Sequence, residues 1–317
     1  MISVKNLTKV YKSHQRQDNF LADLFFRKYK ETIALDKISF EIGNNELVGF
    51  IGPNGAGKTT TLKILSGILF PTAGDIKVLG HVPFEKEPEF LKQISFVMGQ
   101  RNQLIWDLPA IDSFKLNQEV YEVPDSVFKK TIDELSSLLD CHKLIDQPVK
   151  TLSLGERMKM ELIAALLHRP KIIFLDEPTI GLDVFSQEAV RNFIKQFQKE
   201  FKTTIILTSH YLEDVKRMAQ RLIMINKGKI VYDGSMQEIF VKYSHTKFVT
   251  IILEEKINDR ILSSLGEIIS YDFPRVVLKI KKDELPEKIH IINDNLPFSD
   301  LTVEEERIEE VIKNIFR

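Results

Sequence analysis

The chain has 317 residues, 43% of them hydrophobic, and its 44 Lys and Arg nearly cancel its 45 Asp and Glu, for a formal net charge of −1. That length allows one large domain plus a smaller one with real cores, and the balanced charge offers no basic stripe for nucleic acid. The single cysteine, Cys141, excludes an intramolecular disulfide framework and any multi-cysteine metal site, and no run reaches the ~18 apolar residues of a membrane span. The N-terminal MISVKNLTKVYKS has no signal-peptide apolar block, so the expectation is a chain working in a reducing cytosol.

In chain order, residues 2–11 and 34–42 alternate apolar and polar side chains, the pattern of half-exposed antiparallel strands, and residues 74–81 read as another strand. Residues 46–51 form a short apolar run that suits a buried strand, with the first turns of a helix at 60–67. Between them GPNGAGKT, residues 52–59, fits G-x-x-x-x-G-K-[ST]. A helix N-terminus carries unpaired N–H groups and partial positive charge, and Gly55 and Gly57 let successive N–H groups converge on one anion. In that reading Lys58 reaches the β- and γ-phosphates of a nucleotide, and the Thr59 hydroxyl takes one position on magnesium.

From 109 to 144 the apolar spacing turns helical, with Ile111, Phe114 and Leu116, then Ile132, Leu135, Leu138 and Leu139 forming stripes. KIIFLDEPTIGLD and TTIILTSH, residues 171–183 and 203–210, are β-rich runs ending in polar groups, as buried parallel strands do when they deliver side chains to a site. Residues 186–201 read as the helix between them, 221–234 as two strands around a Lys227-Gly228 turn, and 235–243 as a short helix. Asp176 ends a buried strand and suits a metal-holding role; Glu177 beside it is placed to deprotonate an attacking water. His210 ends the next strand and could hold the γ-phosphate and that water in line. After residue 244 the runs 246–253, 275–280 and 299–306 read as strands among helical segments, closed by a helix from 308, with no chemistry-bearing motif. Regulatory or dimerising packing is expected there.

The run TLSLGERMKMELIAALLHRPKIIFLDEPTIGLD, residues 151–183, resembles the signature-to-Walker-B segment of ATP-binding cassette (ABC) ATPases, and the likeness spans roughly residues 1–240. The resemblance implies an α/β P-loop NTPase of ABC type: a RecA-like parallel sheet core, an antiparallel β subdomain, and a helical subdomain at about 100–168. This domain, 1–240, is followed by a small α+β domain, 241–317. By resemblance Tyr11 stacks on adenine, and Gly52, Pro53, Asn54, Gly55, Ala56, Gly57, Lys58, Thr59 and Thr60 make the Walker A loop. Gln100 is the Q-loop glutamine that senses magnesium and the γ-phosphate; Asp176 and Glu177 are the Walker B pair, Asp183 the D-loop aspartate, and His210 the switch histidine. Ser153 and Gly155 belong to the signature that closes over ATP held by the opposite subunit.

The resemblance therefore implies ATP and magnesium as cofactors and a head-to-tail dimer with a second copy or a close homologue. It also implies an integral-membrane permease as partner, with the chain peripheral at the cytoplasmic face of the membrane. LSLGERMKMELIAALLHRP, VMGQRNQLIWDLP and the acidic DLTVEEE resemble one bacterial subset, the ATPase subunits of exporter-type systems with a separate permease. Where the family usually has L-S-G-G-Q, this chain has Leu152-Ser153-Leu154-Gly155-Glu156, which puts a side chain and a negative charge near the partner's phosphate.

Residues 12–32 separate Tyr11 from the next strand by an unusual basic and aromatic interval. Phe20, Leu21, Leu24, Phe25 and Tyr29 can share one helix face, with Arg16, Arg27, Lys28 and Lys30 elsewhere, either lying on lipid or a partner or covering the adenine side. Trp106, the only tryptophan, follows Gln100 closely and either anchors an interface or packs inside the helical insert. The rival function is a soluble ABC-type clamp or assembly factor; such chains carry paired cassettes or a long coiled-coil insertion, and neither is present.

Overall fold

The computed structural model describes residues 1–15, 28–99, 102–209, 212–306 and 308–316. They fall into two compact units, Met1–Gly234 and Ser235–Arg317.

In the first unit, β3 (Leu47–Ile51) and β7 (Thr204–Ser209) are buried along their whole length, and β6 (Ile172–Asp176) is buried up to its final residue. Such unbroken Ile, Leu, Val and Phe runs suit strands covered on both faces. With β5 (Ile94–Met98), β8 (Arg221–Asn226) and β9 (Lys229–Ser235) they form one sheet in the order β5-β6-β7-β3-β8-β9. The pairs β5–β6, β6–β7, β7–β3 and β3–β8 are all parallel. The carboxyl ends of β3, β6 and β7 therefore meet at one rim, the edge at which open α/β sheets present ligand sites. Helices α1 (Lys58–Leu65), α5 (Val184–Phe201) and α6 (Leu212–Met218) each leave that rim, after β3, β6 and β7 respectively. The sequence expectation has no strand at β5; it forms because Ile94 and Val97 are buried in the sheet, although the run is too short for periodicity to mark it.

Three antiparallel strands, in the order β2-β1-β4, comprise β1 (Ile2–Gln15), β2 (Lys28–Ile42) and β4 (Ala73–Val78). Their inward Ile2, Val4, Leu35, Ile38, Phe40 and Ile76 share one core with Leu62 and Leu65 of α1 and Phe50 and Phe174 of the parallel sheet. The β1–β2 ladder runs past Tyr11↔Thr32 as far as Gln15↔Lys28. This corrects the helical reading of the 12–32 interval where it is described: Lys28, Tyr29 and Lys30 are strand residues, because the hairpin continues its backbone pairing. Arg16, Phe20, Leu21, Leu24, Phe25 and Arg27 lie outside the described residues.

Helices α2 (Ala110–Val120), α3 (Asp125–Leu138) and α4 (Leu154–Leu166) make the helical part, with Phe114, Leu135 and Leu162 among its buried side chains. Cys141 is buried there, which pushes its thiol up to about 11. Trp106 does not pack inside this core: it is 45% exposed, with Arg157 over its ring at 5.6 Å. No helix among the described residues is long and apolar enough to cross a membrane.

The second unit has helix α7 (Met236–Tyr243) and a four-stranded sheet of order β11-β12-β10-β13, built from β10 (Thr246–Leu253), β11 (Glu267–Asp272), β12 (Arg275–Lys281) and β13 (Phe298–Glu305). Its neighbouring strands pair antiparallel. Helices α8 (Asp259–Leu265) and α9 (Leu285–Asn295) give Leu262, Leu265 and Ile292 to a core with Val249, Ile251, Val276 and Leu278, and α10 (Ile308–Phe316) ends the unit.

Candidate nucleotide site

The loop between β3 and α1 turns on Gly55 and Gly57, whose φ values of 77° and 114° lie where side-chain-bearing residues are strained. At Gly57 a Cβ would also lie 2.7 Å from the Ala34 carbonyl oxygen, so no other residue brings the chain into α1 along this path. Lys58, the first residue of α1, is buried, and its Nζ donates to the carbonyls of Gly52 at 2.7 Å and Pro53 at 3.2 Å. Burial pushes its ammonium pKa down, and the charges of Glu177 and Asp176 oppose that shift.

Thr59 Oγ1 donates to both carboxylate oxygens of Asp176, at 3.0 and 2.9 Å, so the loop and the end of β6 are directly joined. Thr208 of β7 donates to Asp176 Oδ1 at 2.6 Å, and the Glu177 N–H donates to the Thr208 carbonyl at 3.1 Å. Glu177 itself has φ 54°, a left-handed conformation unusual for a residue with a side chain. Three strand ends thus gather a cation, a hydroxyl and two adjacent acids. Tyr11 stands at the margin, 41% exposed, with its hydroxyl 3.4 Å from Thr60 Oγ1. Thr208 is the residue that sequence reading missed; its place at the polar end of the run TIILTS, beside Ser209, was the only signal for it.

A second group lies at two helix N-termini. Ser153 caps α4 in a reciprocal capping box: its Oγ accepts from the Glu156 N–H at 3.3 Å, and Glu156 Oε2 accepts from the Ser153 N–H at 2.9 Å. Asp183 caps α5 and accepts from the N–H groups of Phe185 and Ser186 and from Ser186 Oγ. These bonds hold the Glu156 and Asp183 carboxyls below their ordinary pKa, through Ser153 and Ser186 respectively. The two caps touch: a Cβ on Gly155 would lie 2.2 Å from Ser186 Oγ, and one on Gly181 would lie 3.2 Å from Leu154 Cδ2. Leu154, the departure from the usual signature, therefore packs against the loop before Asp183. Gln100 and His210 lie outside the described residues.

Along strand β5 a groove of about 540 Å³ is lined by Met98, Gln103, Asn117, Val120, Tyr121 and Ala164, among others. The chain just downstream of Gln100 is fixed to α4, since Glu161 Oε1 accepts from the N–H groups of Gln103 and Leu104. Ile105, Trp106 and Leu108 follow and are all exposed.

A family profile described as "ABC transporter" matches residues 35–180, and one described as "EvrA-like ABC transporter, C-terminal domain" matches residues 245–304. The ABC transporter ATP-binding protein NatA of Bacillus subtilis is 33% identical over 216 residues, covering 68% of this chain and 87% of that protein. An uncharacterized ABC transporter ATP-binding protein of the same organism, YhcH, is 30% identical over 258 residues, covering 81% of this chain and 82% of its own. Among solved structures, the dimeric post-hydrolysis state of the ATP-binding cassette MJ0796 bound to ADP and Pi aligns with a TM-score of 0.62 and 23% identity, over 74% of this chain and 99% of that one. CbiO1 from Clostridium perfringens, part of the ABC transporter complex cbiONQ, aligns with a TM-score of 0.63 and 24% identity, over 76% of this chain and 90% of that one. The fold is that of an ABC-type P-loop ATPase with a small C-terminal domain.

Proposed function

This chain belongs to the ABC transporter ATP-binding proteins, and on that premise we propose the roles of its residues, its partners and the direction of transport. It is an ATP-binding subunit that hydrolyses ATP to energise transport, which sets aside the rival reading of a clamp uncoupled from transport.

The Walker A loop, residues 52–60, wraps the phosphates with its N–H groups, and Lys58 turns from the loop carbonyls to the β- and γ-phosphates. Tyr11 stacks on adenine. Thr59 and Asp176 put hard oxygen donors within 3.0 Å of each other, a set that magnesium takes beside water and phosphate oxygens, so these residues fit the ion, with Gln100 as the third contact. An ion held by these residues would supply positive charge against the phosphates. Glu177 accepts a proton from the attacking water as the bond from the γ-phosphorus to the ADP oxygen breaks, and His210 holds the γ-phosphate in line. Ser153, Gly155 and Asp183 complete the site of a second copy or a close homologue.

The observation that carries this reading is the junction of Thr59, Asp176 and Thr208, which brings Glu177 beside the phosphate loop. Glu177→Gln tests it: the variant should bind ATP as the wild type does, stop releasing phosphate, and run as a long-lived dimer with ATP on size exclusion. Wild-type phosphate release would remove Glu177 from the role of base.

The groove and the exposed Ile105, Trp106 and Leu108 support docking to a separate membrane permease, and with it a position at the cytoplasmic face. Its likeness to the exporter-type subset favours export. The C-terminal unit serves regulation or dimerisation.

A further inference from the structure

Asp214, in α6, is fully buried and is the hub of a polar network outside the phosphate site. Thr179 Oγ1 donates to its Oδ2 at 2.5 Å, Ser209 Oγ donates to the same oxygen at 3.1 Å, and Arg191 Nε donates to Oδ1 at 2.6 Å. Arg191 is itself nearly buried, and its Nη2 donates to Gln187 at 2.8 Å along α5. Desolvation offsets most of what a buried ion pair contributes to stability, so what this pair fixes in space is the more telling question. Thr179 is two residues beyond Glu177, and Ser209 directly precedes His210. Arg191 lies two turns into α5, the helix that Asp183 caps and whose Ser186 touches Gly155.

We propose that Asp214 is a positioning residue that, through Arg191, locks helix α5 with its Asp183 cap to the strand ends carrying Glu177 and His210. Beside the short backbone turn from Glu177 to Leu182, a load placed on the Asp183 and Ser186 surface by a second copy then reaches the hydrolytic residues through this buried ion pair, without passing through the phosphate loop. This rests on Glu177 and His210 acting in hydrolysis, as assigned above. It adds a residue that touches neither nucleotide nor water.

The test uses the full chain with Arg191→Met, Asp214→Asn and the two combined, reading Tm, ATP affinity, KM and kcat. Each single variant leaves an uncompensated buried group and should lower Tm. The combined variant buries no unpaired charge, and its new amide oxygen still accepts from Thr179 and Ser209, so Tm should return towards wild type. If the pair is the link, kcat stays down by about tenfold or more in all three while KM and ATP affinity stay within about twofold. A combined variant that regains both Tm and wild-type kcat overturns the proposal, because the pair would then only hold the fold. Arg191→Lys covers the case in which the combined variant does not fold: it keeps the charge and loses the fixed guanidinium fork. A folded Arg191→Lys with kcat clearly reduced at unchanged KM supports the link, and one with wild-type kcat overturns it. Glu177→Gln run in parallel separates the two readings, since wild-type turnover there would sink the base assignment whatever the Arg191 and Asp214 variants do.

Discussion

The phosphate-loop group and the signature group are both built from glycines, hydroxyls and charges, yet they treat charge in opposite ways. Around the loop, contacts between distant segments bury Lys58 and bring it near Asp176 and Glu177, and burial works against the lysine's charge. At the signature, Glu156 is half-buried and Asp183 exposed, and both are bonded to the backbone of their own helix ends, which favours their charged forms. One region holds a charge at a cost in stability; the other holds charges that its helix ends stabilise. The difference fits the proposed roles, a pocket that presents a cation to phosphate and a surface that keeps its shape for a second chain.

The largest expected effect comes from Lys58→Met, which keeps the stem's volume and removes the charge. ATP affinity and turnover should fall, with kcat/KM down by about 10²–10³-fold. Because the folded-state pKa of Lys58 lies below its ordinary value, the folded protein disfavours the protonated lysine at neutral pH, and its stability rises with pH towards the unfolded value of 10.5. The variant should therefore match or exceed the wild-type Tm below that range. A marked drop in Tm, or wild-type ATP affinity, would break the contrast.

Trp106→Ala probes a third kind of surface. With 45% of the residue exposed, truncation should cost well under the ~3–5 kcal/mol of a core tryptophan, leave basal hydrolysis nearly unchanged, and weaken recovery with the membrane partner in a pull-down. Ser153→Ala should cost about 1 kcal/mol in a denaturant titration, the value of an N-cap. Its ATP binding as a monomer should not change. The smallest effect is Glu156→Gln: the wild type loses a contribution to stability as pH falls below the ordinary carboxylate value of 4.5 towards the lowered folded pKa, and the variant should flatten that part of the acid curve. An unchanged acid curve would mean that the capping box carries no charge effect.

Much of the site was legible because the phosphate loop is local: residues 52–59 fix a strand, a turn and a helix within one short run. Asp176 and Glu177 followed from their place after an apolar strand. Thr208 and Asp214 were not legible, since Thr208 meets Asp176 from 32 residues away and Asp214 meets Thr179 from 35, and neither pairing leaves a periodic trace. In the fold, β11 was missed because it alternates weakly at a sheet edge and is mostly exposed, so its apolar pattern is thin. The extended hairpin was misread because Tyr29 and the cations around it fit a helical face as well as a strand; only the backbone pairing of Gln15 with Lys28 decides between them.

The central claim is that the signature of one chain completes the ATP site of another, and phosphate release from an equal mixture of Lys58→Ala and Ser153→Arg chains tests it most directly. In a mixed dimer one composite site carries both lesions and the other carries neither. The account predicts that two inactive preparations recover activity on mixing, towards about a quarter of the wild-type rate for random pairing with independent sites. Activity that stays at the average of the two separate preparations would contradict it.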